Sequence, residues 1–325
     1  MANLNTNYAG LQLRNPFIIS SSGLTSSLDK IRKFDSLGAG AVVLKSLFEE
    51  QILFEIGSMS ESSDYPEALD YLTRYTKENS VKEYLDLIRN AKKAVQIPII
   101  ASINCVSSGE WVDFASKIEE AGADALELNL FFLPIDKDKT AQDYESVYFD
   151  IIEKLKKIIN IPLIIKIGSH FTNPVNLINQ LYFRKVDGVV MFNRFYSPDI
   201  DLDEMKMTSS DVFSSPADLR NTLRWVGIVS NEVSKINIAA STGVHSGEAA
   251  VKLLLAGATS IQLCSVLYKN GVEYLTEMID KLESWMLNNN YKSIDEFRGK
   301  MNYGNLEDPS VYERSQFMRY FSNLH

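Results

Sequence analysis

The sequence predicts an α/β protein built as one (β/α)₈ barrel. Eight short apolar segments recur along the 325-residue chain, and stretches with helical spacing lie between them. None of the eight segments alternates strictly between apolar and polar residues, which is typical of parallel strands buried on both faces. Eight strands alternating with helices favour a closed barrel, and an open doubly wound sheet is the structural alternative.

The predicted strands are rich in Ile, Val and Leu. They occupy residues 15–23, 38–46, 97–104, 122–130, 161–168, 186–193, 236–243 and 257–265. Helical spacing is clearest over 81–95, 109–121, 144–159 and 246–256. The stretch from Tyr8 to Leu13, with Gly10 in its middle, predicts a short hairpin that closes the bottom of the barrel.

Two long insertions interrupt this pattern. One covers residues 47–80 after the second strand, and the other covers 194–214 after the sixth. Loops that follow barrel strands lie at the carboxyl-end mouth, where barrels place their active sites. Because no low-complexity linker divides the chain, we expect one domain over residues 1–325, with the tail 290–325 packing on the outside.

Composition limits the kinds of partner. A net charge of −9 disfavours nucleic acid and anionic membranes as partners. No apolar run reaches the roughly 18 residues that span a bilayer. The first ten residues lack the pattern of a signal peptide, and two cysteines suggest a reducing compartment. We therefore expect a cytoplasmic protein that acts on a small molecule.

Polar residues stand at the ends of the predicted strands, where barrel enzymes place their chemistry. They are Ser21-Ser22-Gly23, Lys45-Ser46, Asn104-Cys105, Asn129, Lys166, Asn193, Ser241-Thr242-Gly243 and Cys264-Ser265. The last two groups follow strands seven and eight, whose loops commonly bind phosphate through backbone N–H groups. Ordinary turn residues are the alternative for these two loops.

Lys45 and Lys166 need partners, because a buried ammonium group is costly without an acceptor or an anion. Three roles are open for them. They could place positive charge beside the N1/O2 edge of a flavin. One of them could form a Schiff base, or the pair could serve an internal salt bridge without chemistry.

The ordered set of these motifs resembles class 1 dihydroorotate dehydrogenases. The resemblance rests on SSG (21–23), LKS (44–46), ELN (127–129), IKI (165–167), FN (192–193), STG (241–243), IQLCSVLYKNG (261–271) and YKSIDEFRGK (291–300). The family it implies is a (β/α)₈ flavoprotein that binds FMN, is usually dimeric in class 1, and oxidises dihydroorotate to orotate in pyrimidine biosynthesis.

The resemblance also implies roles for individual positions. The flavin would contact Ser22, Gly23, Lys45, Ser46, Asn129 and Lys166, and the FMN phosphate would lie at Thr242, Gly243, Cys264 and Ser265. The catalytic set would include Lys45, Asn129 and Asn193, close to both flavin and substrate.

The chain departs from the family pattern at two places. The family carries its catalytic base in the loop after strand four, in a pattern like NLSCPN. Here Phe132 occupies the base position, and Pro134 replaces the second asparagine. The family's NSMGLPN-like stretch has no counterpart, since residues 62–71 read SSDYPEALDY. Because phenylalanine cannot accept a proton, these departures leave open that the substrate is a compound other than dihydroorotate.

His170 is the strongest remaining candidate for proton transfer, because an unperturbed histidine has a pKa of about 6.5. A loop histidine without a catalytic role is the alternative, and Cys105 is a weaker candidate. Two further functions stay open at this point. One is a flavin-free lyase or isomerase that uses Lys166 on a phosphorylated substrate. The other is a flavin-binding protein without turnover.

Overall fold

The computed structural model describes residues 2–48, 81–104, 111–195, 197–209 and 211–314. At its centre is a closed barrel of eight parallel strands, which confirms the predicted fold class. The strands are β1 (Phe17–Ile19), β2 (Ala41–Val43), β3 (Ile99–Asn104), β4 (Ala125–Asn129), β5 (Leu163–Ile167), β6 (Gly188–Met191), β7 (Asn237–Ala240) and β8 (Ser260–Leu263). Each strand pairs with the next, and β8 pairs with β1 to close the ring.

Helices surround the barrel, with at least one after each strand. They are α1 (Leu28–Ser36), α2 (81–94), α3 (Trp111–Glu120), α4 (Ala141–Leu155), α5 (Pro174–Phe183), α6 (Leu219–Glu232), α7 (Gly247–Leu255), α8 (Ser265–Asn270), α9 (Tyr274–Asn288) and α10 (Ser310–Glu313). Within the described part of the chain, no helix is long and apolar enough to cross a membrane.

Strand residues alternate between two buried surfaces. In β4, Leu126 and Leu128 pack outward in the large cluster shared with the helices, whereas Ala125 belongs to a separate inner cluster. Because both faces are buried, the outward positions are apolar along the whole strand. The inward positions change from apolar near the amino ends of the strands to polar near the carboxyl ends, as at Glu127 and Lys166.

The predicted hairpin at the bottom is present. Thr6–Tyr8 pairs with Leu11–Leu13, and the fully buried Tyr8 ring fills the lower barrel. Around it lie the inward residues of seven strands, which are Ile18, Val43, Ile100, Ala125, Ile164, Val190 and Ala239. The lower barrel is therefore filled mainly by apolar side chains, with the buried Ser260 of β8 as a polar exception, and the interior becomes more polar above it.

The insertion after β6 forms an exposed antiparallel hairpin, in which Pro198–Asp201 pairs with Lys206–Ser209. Of the insertion after β2, residues 49–80 lie outside the described residues, including SSDYPEALDY (62–71), and only the short strand Leu47–Phe48 is described. In the tail, Ile294 and Phe297 are buried in the main core, and residues 315–325 lie outside the described residues.

Tyr8 provides a direct test of this packing. Its hydroxyl is buried without a hydrogen-bond partner in the described structure. We expect Tyr8→Ala to lower the free energy of unfolding by about 3–5 kcal/mol, because it leaves a large cavity. Tyr8→Phe should preserve or raise stability, because it removes only an unsatisfied hydroxyl. Urea unfolding followed by circular dichroism measures both. A loss for Tyr8→Phe as large as that for Tyr8→Ala would contradict this packing.

Candidate functional site

A cavity of about 440 Å³ opens at the carboxyl ends of the strands. Its walls combine strand ends, the loops after β7 and β8, and the returning part of the insertion after β6. The lining residues are Ser20, Ser21, Lys166, Asn193, Arg194, Val212, Phe213, Ser214, Ser241, Thr242, Gly243, Val244, Gln262, Cys264, Ser265 and Tyr268. The residues at the ends of β7 and β8, Thr242, Gly243, Cys264 and Ser265, therefore share one cavity with Lys166 of β5.

Lys166 is the buried cation of this cavity, with only 7% of its surface exposed. Its ammonium nitrogen donates to Ser20 Oγ at 3.1 Å and to Gln262 Oε1 at 3.3 Å. Glu127 Oε1 lies 3.9 Å from the same nitrogen. These acceptors offset the desolvation that burial imposes on an ammonium group. Lys166 thus presents a fixed positive charge to the cavity.

Glu127 lies inside the barrel and is fully buried. Its Oε2 accepts a hydrogen bond from Gln262 Nε2, and its Oε1 has no hydrogen-bond partner in the described structure. Burial raises the pKa of the Glu127 carboxyl, and the neighbouring Lys166 charge opposes that rise. The sequence alone did not identify Glu127 or Gln262 as site residues, because both stand inside apolar runs.

The loop after β7 approaches helix α6 closely. Thr242 and Gly243 both have positive φ angles, 76° and 83°. Thr242 Oγ1 donates to Phe192 O at 2.8 Å, which fixes this unusual backbone for a β-branched residue. A β-carbon on Gly243 would lie 2.1 Å from the backbone nitrogen of Leu219. The close approach to α6 therefore requires glycine at position 243, in a loop that also lines the cavity.

The loop after β8 leads directly into helix α8. Cys264 is the N-cap residue of that helix, and burial raises the pKa of its thiol. Ser265 Oγ accepts from Ser214 N at 3.0 Å, so this loop is tied to the insertion after β6. Free N–H groups at the start of a helix favour an anion.

Three basic residues surround the same end of the cavity. Lys269 Nζ donates to Ser214 O at 2.9 Å, and His245 Nε2 lies 2.9 Å from Ser214 Oγ. Arg194 pairs with Asp218 at 3.1 Å. Burial and the neighbouring Lys269 lower the pKa of His245. The sequence alone does not identify Arg194, Ser214 and Lys269 as site residues, because they meet only when the insertion after β6 folds back over the barrel.

The two strand-end asparagines meet each other. Asn193 Nδ2 donates to Asn129 Oδ1 at 3.0 Å, and Asn193 lines the cavity. Both side chains are half-buried. The pair leaves amide groups of Asn193 and Asn129 available at the edge of the opening, between the cavity and the altered loop after β4.

An aromatic cluster covers the strand ends beside this pair. His170 stacks on Phe171 at 4.5 Å and meets Phe131 edge-on at 5.3 Å, measured between ring centroids. Phe131 also lies 4.2 Å from the Phe195 ring. Burial lowers the pKa of His170, whose Nδ1 is buried without a hydrogen-bond partner in the described structure. His170 is therefore neutral at neutral pH.

Phe132 occupies the position at which the resemblance places a catalytic base. Its ring packs edge-on against Tyr148 at 5.4 Å and joins the main core. Tyr148 in turn donates to Leu130 O at 3.2 Å. The altered loop is thus integrated into the packing of helix α4, with an apolar side chain where proton transfer would require a titratable one.

The remaining predicted residues lie at the same end of the barrel but outside this cavity's lining. Lys45 is exposed and lines a second cavity of about 540 Å³ together with Ser46 and Glu83. Ser46 is buried, with its Oγ 3.0 Å from Ser21 Oγ. A β-carbon on Gly23 would lie 2.8 Å from Tyr268 Oη.

Ser22 caps the short turn Gly23–Thr25, and its side chain hydrogen-bonds the Cys264 thiol. The structure therefore joins Ser22 to the loop after β8. Lys45 and Lys166 line different cavities. Cys105 lies outside the described residues.

Comparisons with known proteins agree with this architecture. A family model described as dihydroorotate dehydrogenase matches residues 3–286. The chain is 27% identical over 316 residues to dihydroorotate dehydrogenase B (NAD(+)), catalytic subunit, of Thermoplasma volcanium, covering 92% of this chain and 98% of that protein. It is 25% identical over 327 residues to dihydroorotate dehydrogenase A (fumarate) of Lactococcus lactis subsp. cremoris, covering 92% and 99%.

Gly243 and Gly10 form a matched pair for testing the loop after β7, since each has a φ of 83°. A β-carbon on Gly10 meets nothing within 4 Å, so Gly10→Ala should cost only the backbone strain of about 1–2 kcal/mol. Gly243→Ala should cost about 1–3 kcal/mol more, because the added carbon collides with the Leu219 backbone. Thermal unfolding measures the difference, and equal losses would contradict the close approach.

Proposed function

Because the chain belongs to the dihydroorotate dehydrogenase family, we propose that it is an FMN-dependent oxidoreductase acting on the CH–CH bond of a small molecule. The observation that carries the proposal is that the buried Lys166 ammonium group and two phosphate-type loops line the same cavity. The flavin ring needs a positive charge beside it, and the FMN phosphate needs loops of this type. One cavity supplies both.

FMN fits the donor set of the described residues. Its phosphate would be held by Thr242 and Gly243 after β7 and by Cys264 and Ser265 after β8, with Lys269 close by. Backbone N–H groups at such loops suit a dianionic phosphate. Ser22, Gly23, Lys45, Ser46 and Asn129 would complete the surroundings of the ring. When bound, FMN would supply an acceptor for the two electrons that leave the substrate.

Lys166 would stabilise the negative charge that reduction places on the ring. A fixed cation close to the site of developing charge is worth far more in a partly dry cavity than in water. Its hydrogen bonds to Ser20 and Gln262 also favour the flavin role over the lyase alternative. A Schiff base requires an amine nitrogen free to attack a carbonyl, whereas the Lys166 nitrogen is engaged by Ser20 and Gln262.

The substrate side of the site favours a compound other than dihydroorotate. Phe131, Phe132 and Phe195 place apolar rings around the end of β4. A carboxylate in this region would lose hydration without gaining a charged partner among these residues. We therefore propose a substrate that is less polar at this position than dihydroorotate, and that contacts Asn129 and Asn193 along its polar edge.

We propose His170 as the group that accepts the proton, with Lys45 supplying positive charge from the neighbouring cavity that it lines. Since its pKa is lowered by burial, His170 is in the form that can accept a proton. Its unpartnered Nδ1 is near the end of β5, where a β-carbon on Gly168 would lie 2.7 Å away.

Anaerobic flavin reduction tests the proposal. The purified protein should take up FMN and be yellow, and Lys166→Met should weaken FMN binding by roughly tenfold or more. Dihydroorotate should reduce the bound flavin at best slowly, because Phe132 occupies the position of the base that serves that substrate, and losing a general base costs about 10²–10⁴-fold in rate. Failure to bind FMN would contradict the cofactor assignment, and fast reduction by dihydroorotate would contradict the substrate assignment.

A panel of other CH–CH substrates then separates an enzyme from a flavin-binding protein without turnover. For a compound that does reduce the flavin, His170→Asn should slow reduction by about 10²-fold and leave FMN affinity unchanged. His245→Asn, at the phosphate end, should instead change FMN affinity. If the compound reduces the flavin bound to His170→Asn as fast as it reduces the flavin bound to wild type, His170 is not the proton acceptor.

We propose further that the protein is a cytoplasmic homodimer. The hairpin after β6 exposes Ile200, Met205 and Met207, with 58%, 87% and 68% of their surfaces accessible. Apolar side chains concentrated on one protruding element are typical of an interface. Light scattering should give twice the monomer mass, and Met207→Asp should shift the equilibrium towards monomer. A monomer at micromolar concentration would contradict the proposal.

A further inference from the structure

Glu127 is a buried acid that the proposed chemistry does not use. It does not line the cavity, whereas Gln262 and Lys166 do. The bottom of the barrel is apolar, so a carboxyl group in this position lowers stability unless it serves the site above it. Its role must therefore lie in its effect on its two neighbours in the site, Gln262 and Lys166.

The hydrogen bonds form a chain through Gln262 in which its amide nitrogen donates and its amide oxygen accepts. Gln262 Nε2 donates to Glu127 Oε2, and Gln262 Oε1 accepts from Lys166 Nζ at 3.3 Å and from Ser20 Oγ at 3.1 Å. An ionised carboxylate can only accept hydrogen bonds, so Glu127 selects the Gln262 amide orientation in which the nitrogen faces Glu127 and the oxygen faces Lys166. The oxygen is then available to the ammonium group of Lys166.

We propose that Glu127 is a positioning residue, which orients the Gln262 amide so that Lys166 is held against the cavity, and whose negative charge offsets part of the Lys166 field there. This inference rests on the proposed flavin chemistry for its consequence, but its structural part concerns only residues of this chain. Glu127 sets how strongly the cavity favours added negative charge, without touching the ligand.

Glu127 is also an acid whose pKa is shifted by its surroundings in the barrel interior. The titratable side chains facing it in the described structure are Lys166 from β5, Tyr8 from the bottom hairpin and Tyr84 from α2. Burial raises the pKa of both tyrosines, so they remain neutral in the physiological range. Burial likewise raises the pKa of Glu127 above the unfolded value of 4.5.

The sign of the pH effect follows from that shift. Between the unfolded and the raised folded pKa, the folded protein holds the Glu127 proton and the unfolded chain has lost it. The contribution of Glu127 to stability therefore falls as pH rises through this window, and is constant above the folded pKa. Glu127→Gln removes the ionisation, keeps a hydrogen-bond acceptor for Gln262, and should abolish this component.

The test compares Glu127→Gln with Glu120→Gln, which removes the same charge from an exposed position on α3. In the FMN-free proteins, the melting temperature of Glu127→Gln should lose the decline with pH that wild type and Glu120→Gln share. Parallel profiles for all three proteins would overturn the proposal, whether or not FMN binds.

In the FMN-loaded proteins, the flavin midpoint potential should move to a more positive value in Glu127→Gln. The change corresponds to reduced flavin gaining roughly tenfold or more in affinity relative to oxidised flavin, because the Lys166 charge is no longer offset. The potential of Glu120→Gln should match wild type. An unchanged potential in Glu127→Gln would overturn the role of the charge, whereas lack of FMN uptake by wild type would contradict the proposed function instead.

Discussion

The ammonium group of Lys166, buried where the barrel opens, is the constraint around which the site is organised. A charge in that position requires acceptors, and Ser20, Gln262 and Glu127 provide them from three other strands or strand ends. Each of these groups then needs partners of its own. The polar residues in the upper interior of the barrel thus form one connected hydrogen-bond network rather than isolated polar groups in an apolar core.

Apolar packing in the lower barrel offsets the cost of burying this polar network. The inward residues there are mostly apolar, and the Tyr8 ring fills the bottom. Outside the strands, the larger cluster between barrel and helices supplies the main hydrophobic burial. This separation allows residues at the mouth, including Thr242 with its positive φ, to serve a ligand although they stabilise the fold less well.

The sequence was sufficient to predict the eight strands, because each is a short apolar run followed by a polar residue. The same rule found Lys166 and the loop containing Thr242 and Gly243. It could not find Glu127 and Gln262, because their outward neighbours are apolar and conceal the alternation that marks an inward position. Nor could spacing along the chain show that Ser214 returns to Ser265, or that Lys45 lines a different cavity from Lys166.

A crystal structure of the protein grown with FMN tests the central claim most directly. We expect the flavin ring against Lys166 and the phosphate between Gly243 and Ser265, with the Gln262 amide oxygen still facing the ammonium group. Density for FMN elsewhere on the protein, or an empty cavity at saturating FMN with Lys166 turned away from it, would contradict the account.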